Sequence, residues 1–286
     1  MINKAQPDHA APFAVILGTN EIASAIAVYL HRQSYSVVLS HAPAPPVSRR
    51  KMSFHDALYS DVAALGDVGA RRVDSGLEVL AGHGSGQPVM VTELGLLDLF
   101  VLKPFDILVD ARLNGGEVEP ALHGLAKLSI GIGPGFHAGC NCDIAIETHP
   151  DSLGFILQEG ATVADAAPPP LLGGKGRERF GYAPHGGLWH TAVEIGTLIF
   201  KDFPIGRLGA TAVTAPFDGY LRGVVRDGQH VAAGDELFEI DPRGRNACWS
   251  GMDDRARLIA SAVTKAIRLK RANIVAGRVA PMHIVQ

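Results

Sequence analysis

No apolar run in this chain approaches the ~20 residues that a membrane-crossing helix requires, so a bilayer-spanning protein is not expected. Residues 1–12 are polar and charged and hold no apolar core, so no secretory leader is expected either. Cysteine is scarce: three residues, an odd number, cannot make the disulfide framework of a small secreted fold, and a reducing cytoplasm is the expected location. A net charge of −3 offers no general attraction to nucleic acid or to an anionic membrane surface. The familiar catalytic signatures are missing as well. There is no Walker loop, no Ser-His-Asp order and no H-E-x-x-H, and no second cysteine pair completes a zinc site, so no resident metal is expected.

What is present is apolar and turn-rich. With 286 residues, 47% hydrophobic and 19% charged, the chain is long enough for two domains with cores of their own. Phe13–Leu17 reads as a buried strand, Ile22, Ala25, Ile26, Tyr29 and Leu30 as one face of a helix, and Ser36–Leu39 as a second strand. That is the opening of a Rossmann-type unit, but its phosphate turn is degraded. Gly18-Thr19-Asn20-Glu21 lacks the later glycines of the dinucleotide pattern, and the second strand ends in Ser40-His41 with no acid for a ribose. A proline-rich loop, Ala42–Pro46, then leads to Ser48-Arg49-Arg50-Lys51, with Ser53 read as the N-cap of a helix through Tyr59; a cationic turn before a helix start suits a phosphate. Further strands are expected at Arg71–Val73, Pro88–Val91 and Ile107–Val109. Asp110, Arg112 and Asn114 directly follow the last of these, where polar side chains face a ligand crevice.

The densest motif is LSIGIGPGFHAGCNCDIAIET, from Leu128 to Thr148. Two strand-like runs flank a loop holding Gly131, Gly133, Gly135 and Gly139, whose small residues let backbone amides approach a ligand. Cys140 and Cys142 in the same loop could act as soft ligands or as a transient thiolate near a helix start. His31, His55, His123, His185 and His230 read as surface or capped residues. In the second half, residues 183–208 align without a gap on 215–240: the Ala-Pro pairs, Gly187/Gly219, Val193/Val225 and Gly196/Gly228 are identical. Two copies of short strands with glycine turns point to two interlocking halves of a small β-barrel. The second copy resembles biotinyl/lipoyl-type barrel-sandwich domains, which carry their prosthetic group on a hairpin lysine. The matching segment, Gly206–Val213, has no lysine, so no covalent biotin or lipoate is expected. The chain closes on an amphipathic helix, Asp253–Arg271.

Taken in order, ILGTNEIASAIAVYLHR, SRRKMSFHDALY, DILVDAR, GIGPGFHAGCNCDIAIET, LGFILQEGAT, the Ala-Pro repeat and IDPRG before Cys248 give the chain a resemblance to the selenium-dependent molybdenum hydroxylase system proteins. The chain departs from that family at Asn20-Glu21, where an aspartate usually follows the glycine, and at Arg112-Leu113-Asn114, where a lysine commonly precedes the asparagine. The resemblance implies an accessory role in maturing a molybdenum-cofactor enzyme, with such a redox enzyme as client partner and a molybdopterin-type cofactor or phosphorylated intermediate as ligand.

The expected architecture is therefore α/β: a Rossmann-like domain at 1–163, a barrel-sandwich (biotinyl/lipoyl-like) β domain at 177–247 and a terminal helix at 251–272. The expected cofactor-binding residues are Gly18, Asn20, Arg49, Arg50, Asp110, Arg112, Asn114, Gly133, Gly135, Cys140 and Cys142. A nucleotide-dependent oxidoreductase or transferase and a non-catalytic interaction module are the alternatives. A homo-oligomer is compatible with the sequence, which does not set the oligomeric state.

Overall fold

A computed structural model describes residues 11–114, 120–164 and 168–277. Its largest element is a nine-stranded sheet. The strands in chain order are β1 (Phe13–Leu17), β2 (Ser36–Ser40), β3 (Val62–Leu65), β4 (Val68–Arg72), β5 (Val89–Thr92), β6 (Ile107–Asp110) and β7 (Ser129–Ile132). β8 (His137–Ala138) stands outside this sheet, and β9 (Ile144–Ile146) and β10 (Ile156–Leu157) complete it. The order is β10-β9-β7-β6-β1-β2-β5-β4-β3, parallel from β9 to β4 with an antiparallel strand at each edge. β8 pairs instead with β11 (Gly160–Ala161). Both faces of the central strands are covered, which is why FAVIL is apolar at every position and buried at all of them.

One face is covered by α1 (Glu21–His31), α2 (Ala57–Ser60) and the C-terminal α5 (Asp254–Gly277). Helix α1 starts where Asn20 accepts the amides of Ile22 and Ala23, and it lies beneath α5. Alanines at 23, 25 and 27 on α1 and at 256, 260, 262 and 266 on α5 allow this close packing. The other face carries α3 (Gly76–Ala81), α4 (Leu96–Phe100) and loop residues around Phe105, Leu122, Phe136 and Cys142.

The second half forms two four-stranded antiparallel sheets around one core that includes Trp189, Leu221 and Phe238. Their strands are β12 (Phe180–Tyr182), β13 (Gly187–His190), β14 (Leu198–Ile199), β15 (Pro204–Leu208), β16 (Thr211–Thr214), β17 (Gly219–Val224), β18 (His230–Val231) and β19 (Glu236–Asp241). The orders are β12-β19-β17-β14 and β16-β15-β13-β18. β13 pairs with β18 and β17 with β14, so each copy of the repeat lends its short middle strand to the sheet of the other.

The expected fold class needs correction. The chain is mostly sheet with few helices, and only α1 and α5 exceed eight residues among those described. The large sheet is mixed, because β3 and β10 run antiparallel at its edges, so it is not a Rossmann-like α/β domain with helices alternating along a parallel sheet. Nor is a barrel-sandwich shown: the second half is two separate four-stranded sheets. The helix expected from Ser53 to Tyr59 is a tight turn, Arg50–Met52, followed by the four residues of α2. Among the described residues no helix is long and apolar enough to cross a membrane.

Candidate functional site

Strand order reverses between β1 and β6: the chain runs outward from β1 through β2 on one side and continues through β6 and β7 on the other. At such a reversal the carboxyl ends of neighbouring strands diverge and leave room for a ligand. Gly18 follows β1, Asp110 ends β6 and Gly133 follows β7, so the structure brings these three expected residues to one edge of adjacent parallel strands.

The interior of that edge is closed by the chain itself. Gly18 has φ +108°, and a Cβ there would stand 3.0 Å from the Ala111 carbonyl oxygen. The glycine serves the approach of the protein's own backbone. Asn20 Oδ1 accepts from the Ile22 and Ala23 amides at 3.0 and 2.9 Å, and its Nδ2 donates to the Ala111 carbonyl at 2.7 Å. The helix start that would hold a pyrophosphate is thus capped by a side chain, which removes support from a nucleotide-dependent reading. Asp110 is buried and clamps Arg112: Arg112 Nε donates to Oδ1 at 3.0 Å and Nη2 to Oδ2 at 2.5 Å. An identical Asp-x-Arg clamp, Asp241 with Arg243, closes the end of β19. Leu113 then takes a left-handed φ of +62°, and its Cδ2 lies 3.3 Å from where a Cβ on Gly133 would be. Asn114 Oδ1 is buried with no hydrogen-bond partner among the described residues.

Gly133 donates its amide to Ile146, and Gly135 accepts from Asn141 Nδ2 at 2.9 Å. The loop beyond them separates the two thiols. Cys140 is exposed, whereas Cys142 is fully buried in the core, and burial pushes its thiol up to about 11. This corrects the expectation of an activated thiolate at Cys142, since a buried thiol in apolar surroundings resists ionisation. Among the described residues no group of three or more His, Cys, Asp or Glu side chains could hold a metal ion.

The basic turn is also corrected. Arg49 Nε donates to Glu239 at 2.7 Å and its Nη1 to Glu21 at 2.9 Å, while Arg50 Nε donates to the Val224 carbonyl and Nη1 to Asp56. Lys51 Nζ reaches the Ile195 carbonyl at 2.7 Å. Glu239, itself fully buried, also takes Arg179 Nε at 2.7 Å and faces Arg222 at 3.3 Å. These cations clamp the small sheets onto the large one, with carboxylates standing where a phosphate was expected.

Sequence reasoning missed a polar cluster beside the same edge. Thr19, from the turn after β1, places Oγ1 2.9 Å from His55 Nδ1 and 3.3 Å from His41 Nδ1. His55, expected on the surface, is 4% exposed. The imidazole rings lie 5.2 Å apart, and His55 packs on Tyr59. Burial, then the neighbouring His41, lowers His55 to about 3, and burial also lowers His41. The available signal was a pair: a polar Thr19 directly after Gly18 and a histidine directly after β2.

The large sheet thus has a strand-order reversal whose carboxyl edge is sealed by internal clamps, with a histidine pair at one side. No family model matches the chain. It is 31% identical over 269 residues to an uncharacterized protein of Escherichia coli (strain K12), YqeB, a match covering 92% of this chain and 49% of that protein. The chain therefore spans about half the length of the curated relative it matches. Among solved structures, the product-bound ectoine utilization protein EutE (DoeB) from Ruegeria pomeroyi shows 11% identity and a TM-score of 0.27, covering 81% of this chain and 85% of that one. A succinylglutamate desuccinylase/aspartoacylase from Rhodobacter sphaeroides gives 10% identity and 0.24, covering 81% and 86%. Neither likeness is close enough to bear on fold or activity.

Proposed function

We propose that the chain is an accessory protein in the maturation of a molybdenum-cofactor hydroxylase or similar redox enzyme, holding a phosphorylated cofactor or intermediate at the carboxyl edge of the large sheet. One observation carries the reading. Three of the segments behind the family resemblance bring Gly18–Asn20, Asp110–Arg112 and Gly133 to the carboxyl ends of β1, β6 and β7, and His55 joins them through Thr19. Cys142, just before β9 and level with the start of β7, lies instead at the opposite, amino ends of the strands. Residues far apart in sequence meet where an open parallel sheet exposes its strand ends.

The donors decide whether such a ligand fits. Arg49 and Arg50 are closed off by carboxylates, but Arg226, at the rim of the edge, keeps a buried Nε without an acceptor among the described residues. A molybdopterin-type group would bring a phosphate to such a donor and a dithiolene to bind the metal. The chain's own contribution is to hold the phosphate end of that group at Arg226, where the cleft between the halves has room for about one oxygen.

Native mass spectrometry of the protein purified from its own host tests the reading by revealing a bound cofactor mass. Deletion of the gene should lower the cofactor content of the client hydroxylase. A fully loaded hydroxylase in the deletion strain would refute the proposal, and a titration with NAD(P)H that gives stoichiometric binding would favour the oxidoreductase alternative.

A further inference from the structure

Between the loop after β2 and the small sheets lies a narrow cleft lined by His41, His55, Pro46, Val225, Arg226 and Gln229. Its cavity measures about 10 Å³, close to the room one water-sized oxygen needs. A single carboxylate, Asp56, is shared between Arg50 at 2.9 Å and Arg226 at 2.8 Å, and Glu93 stands near His41 on the other side. The Arg226 guanidinium stacks 4.0 Å from the Tyr59 ring centroid, which fixes its plane, yet its buried Nε has no acceptor among the described residues. A buried guanidinium N–H without an acceptor is costly, and an oxygen bearing negative charge is the group that would satisfy it.

We propose that this cleft binds one oxygen of a compact oxyanion and that binding is coupled to uptake of a proton by the His41–Thr19–His55 cluster. The ligand identity rests on the accessory reading above, in which the oxyanion is the phosphate of a cofactor; the existence of the site does not. The coupling follows from the hydrogen bonds. The Thr19 hydroxyl has one proton and meets two Nδ1 atoms, so with both rings neutral it donates to one and accepts from the other. His55 is disfavoured as a cation by burial, by the neighbouring His41 and by Arg226 and Arg50, with Asp56 as its facing anion, while the half-buried His41 is disfavoured by burial alone and faces Glu93. An oxyanion in the cleft places a negative charge directly beside both imidazoles, and His41, the less buried of the pair, is the group that takes the proton.

Calorimetric titration of the full chain with inorganic phosphate, at pH 7 in two buffers of different ionisation enthalpy, and in parallel with sulfate, which stays a dianion throughout this range so that any proton taken up goes to the protein, reads both parts. Binding with net proton uptake is expected, tightening at least 3-fold per pH unit between pH 8 and 6.5. Arg226→Gln should weaken binding at least 10-fold, and His41→Asn should abolish the proton uptake. The ring resonances of His41 and His55 in the unaltered protein should move during the same titration, a measurement that needs no variant to fold. Absence of binding, or binding with no proton uptake and no movement of either ring, would overturn the proposal. Phosphate binding as described, together with normal hydroxylase maturation in a strain carrying Arg226→Gln, would keep the site and sink the accessory reading. A phosphorylated pterin binding tighter than free phosphate would make the cofactor the source of the oxyanion; equal affinities would make it free phosphate.

Discussion

His55 should make the protein's stability depend on pH in a way that one substitution removes. In an unfolded chain the imidazole titrates near 6.5, while in the fold burial and the adjacent His41 hold it near 3. The unfolded state therefore binds more protons below pH 6.5, and the stability present at higher pH is lost as pH falls through that value. At pH 5 the gap is about 1.5 units, or about 2 kcal/mol at ~1.36 kcal/mol per unit. Glu236 acts in the opposite sense. Burial raises it to about 7, so the folded state takes up its proton first and gains stability as pH falls from 7 towards the ordinary glutamate range. The raw pH profile of the protein blends the two.

The comparison that isolates His55 is with His55→Asn, which keeps a polar atom near Thr19 Oγ1 but does not titrate. Urea unfolding at pH 8, 6.5 and 5 should show the stability difference between the two proteins shrinking by about 2 kcal/mol from pH 8 to 5. Glu236 and the other distant groups contribute equally to both proteins and cancel, while His41, which shares Thr19 with His55, is followed separately by its own ring resonance. Parallel pH profiles would refute the reasoning, because they would mean that His55 accepts a proton in the fold as easily as in water.

Arg49→Ala should cost about 1.5–3 kcal/mol, since it removes charge-assisted hydrogen bonds to Glu239 and Glu21 while Glu239 keeps Arg179 and Arg222; a melting temperature within a degree of the unaltered protein would contradict the clamp. Gly18→Ala should cost about 1–3 kcal/mol, because φ is +108° and the new Cβ would press on the Ala111 carbonyl, as thermal unfolding would show. Native-state alkylation at pH 8 should modify Cys140 and spare Cys142, whose thiolate fraction falls about 100-fold below that of an ordinary cysteine. Rapid modification of both thiols would mean that the loop opens.

Some of this molecule can be read directly along the chain, where cause and effect are close together. FAVIL is apolar at five successive positions because β1 is covered on both faces. Asn20 sits where an N-cap must sit, two and three residues before the amides it accepts. The antiparallel pair β3–β4 left a signal too, Gly66-Asp67 between Leu65 and Val68, which marks a hairpin and breaks the parallel pattern at that edge.

The basic turn shows where such reading ends. Three consecutive cations look like an anion site, and although Asp56 answers Arg50 from only six residues on, Glu239, the buried acid that takes Arg49, lies 190 residues further on. The same holds for Thr19 and His55, 36 residues apart and each unremarkable alone. A charged side chain is defined by its partners, and partners across a domain junction follow from the packing of the two halves. Segment 48–56 docks through backbone as well as charge: Val224 donates its amide to the Ser48 carbonyl at 2.8 Å, and the absent side chain of Gly223 makes room for that approach. Once the junction is set, Arg49 and Arg50 hold the halves together while Arg226 is left with an N–H facing no acceptor among the described residues. In the proposal above the anion site moves across the junction, from the turn that carries three consecutive cations to Arg226, whose charge Asp56 shares with Arg50 and whose buried Nε has no acceptor among the described residues.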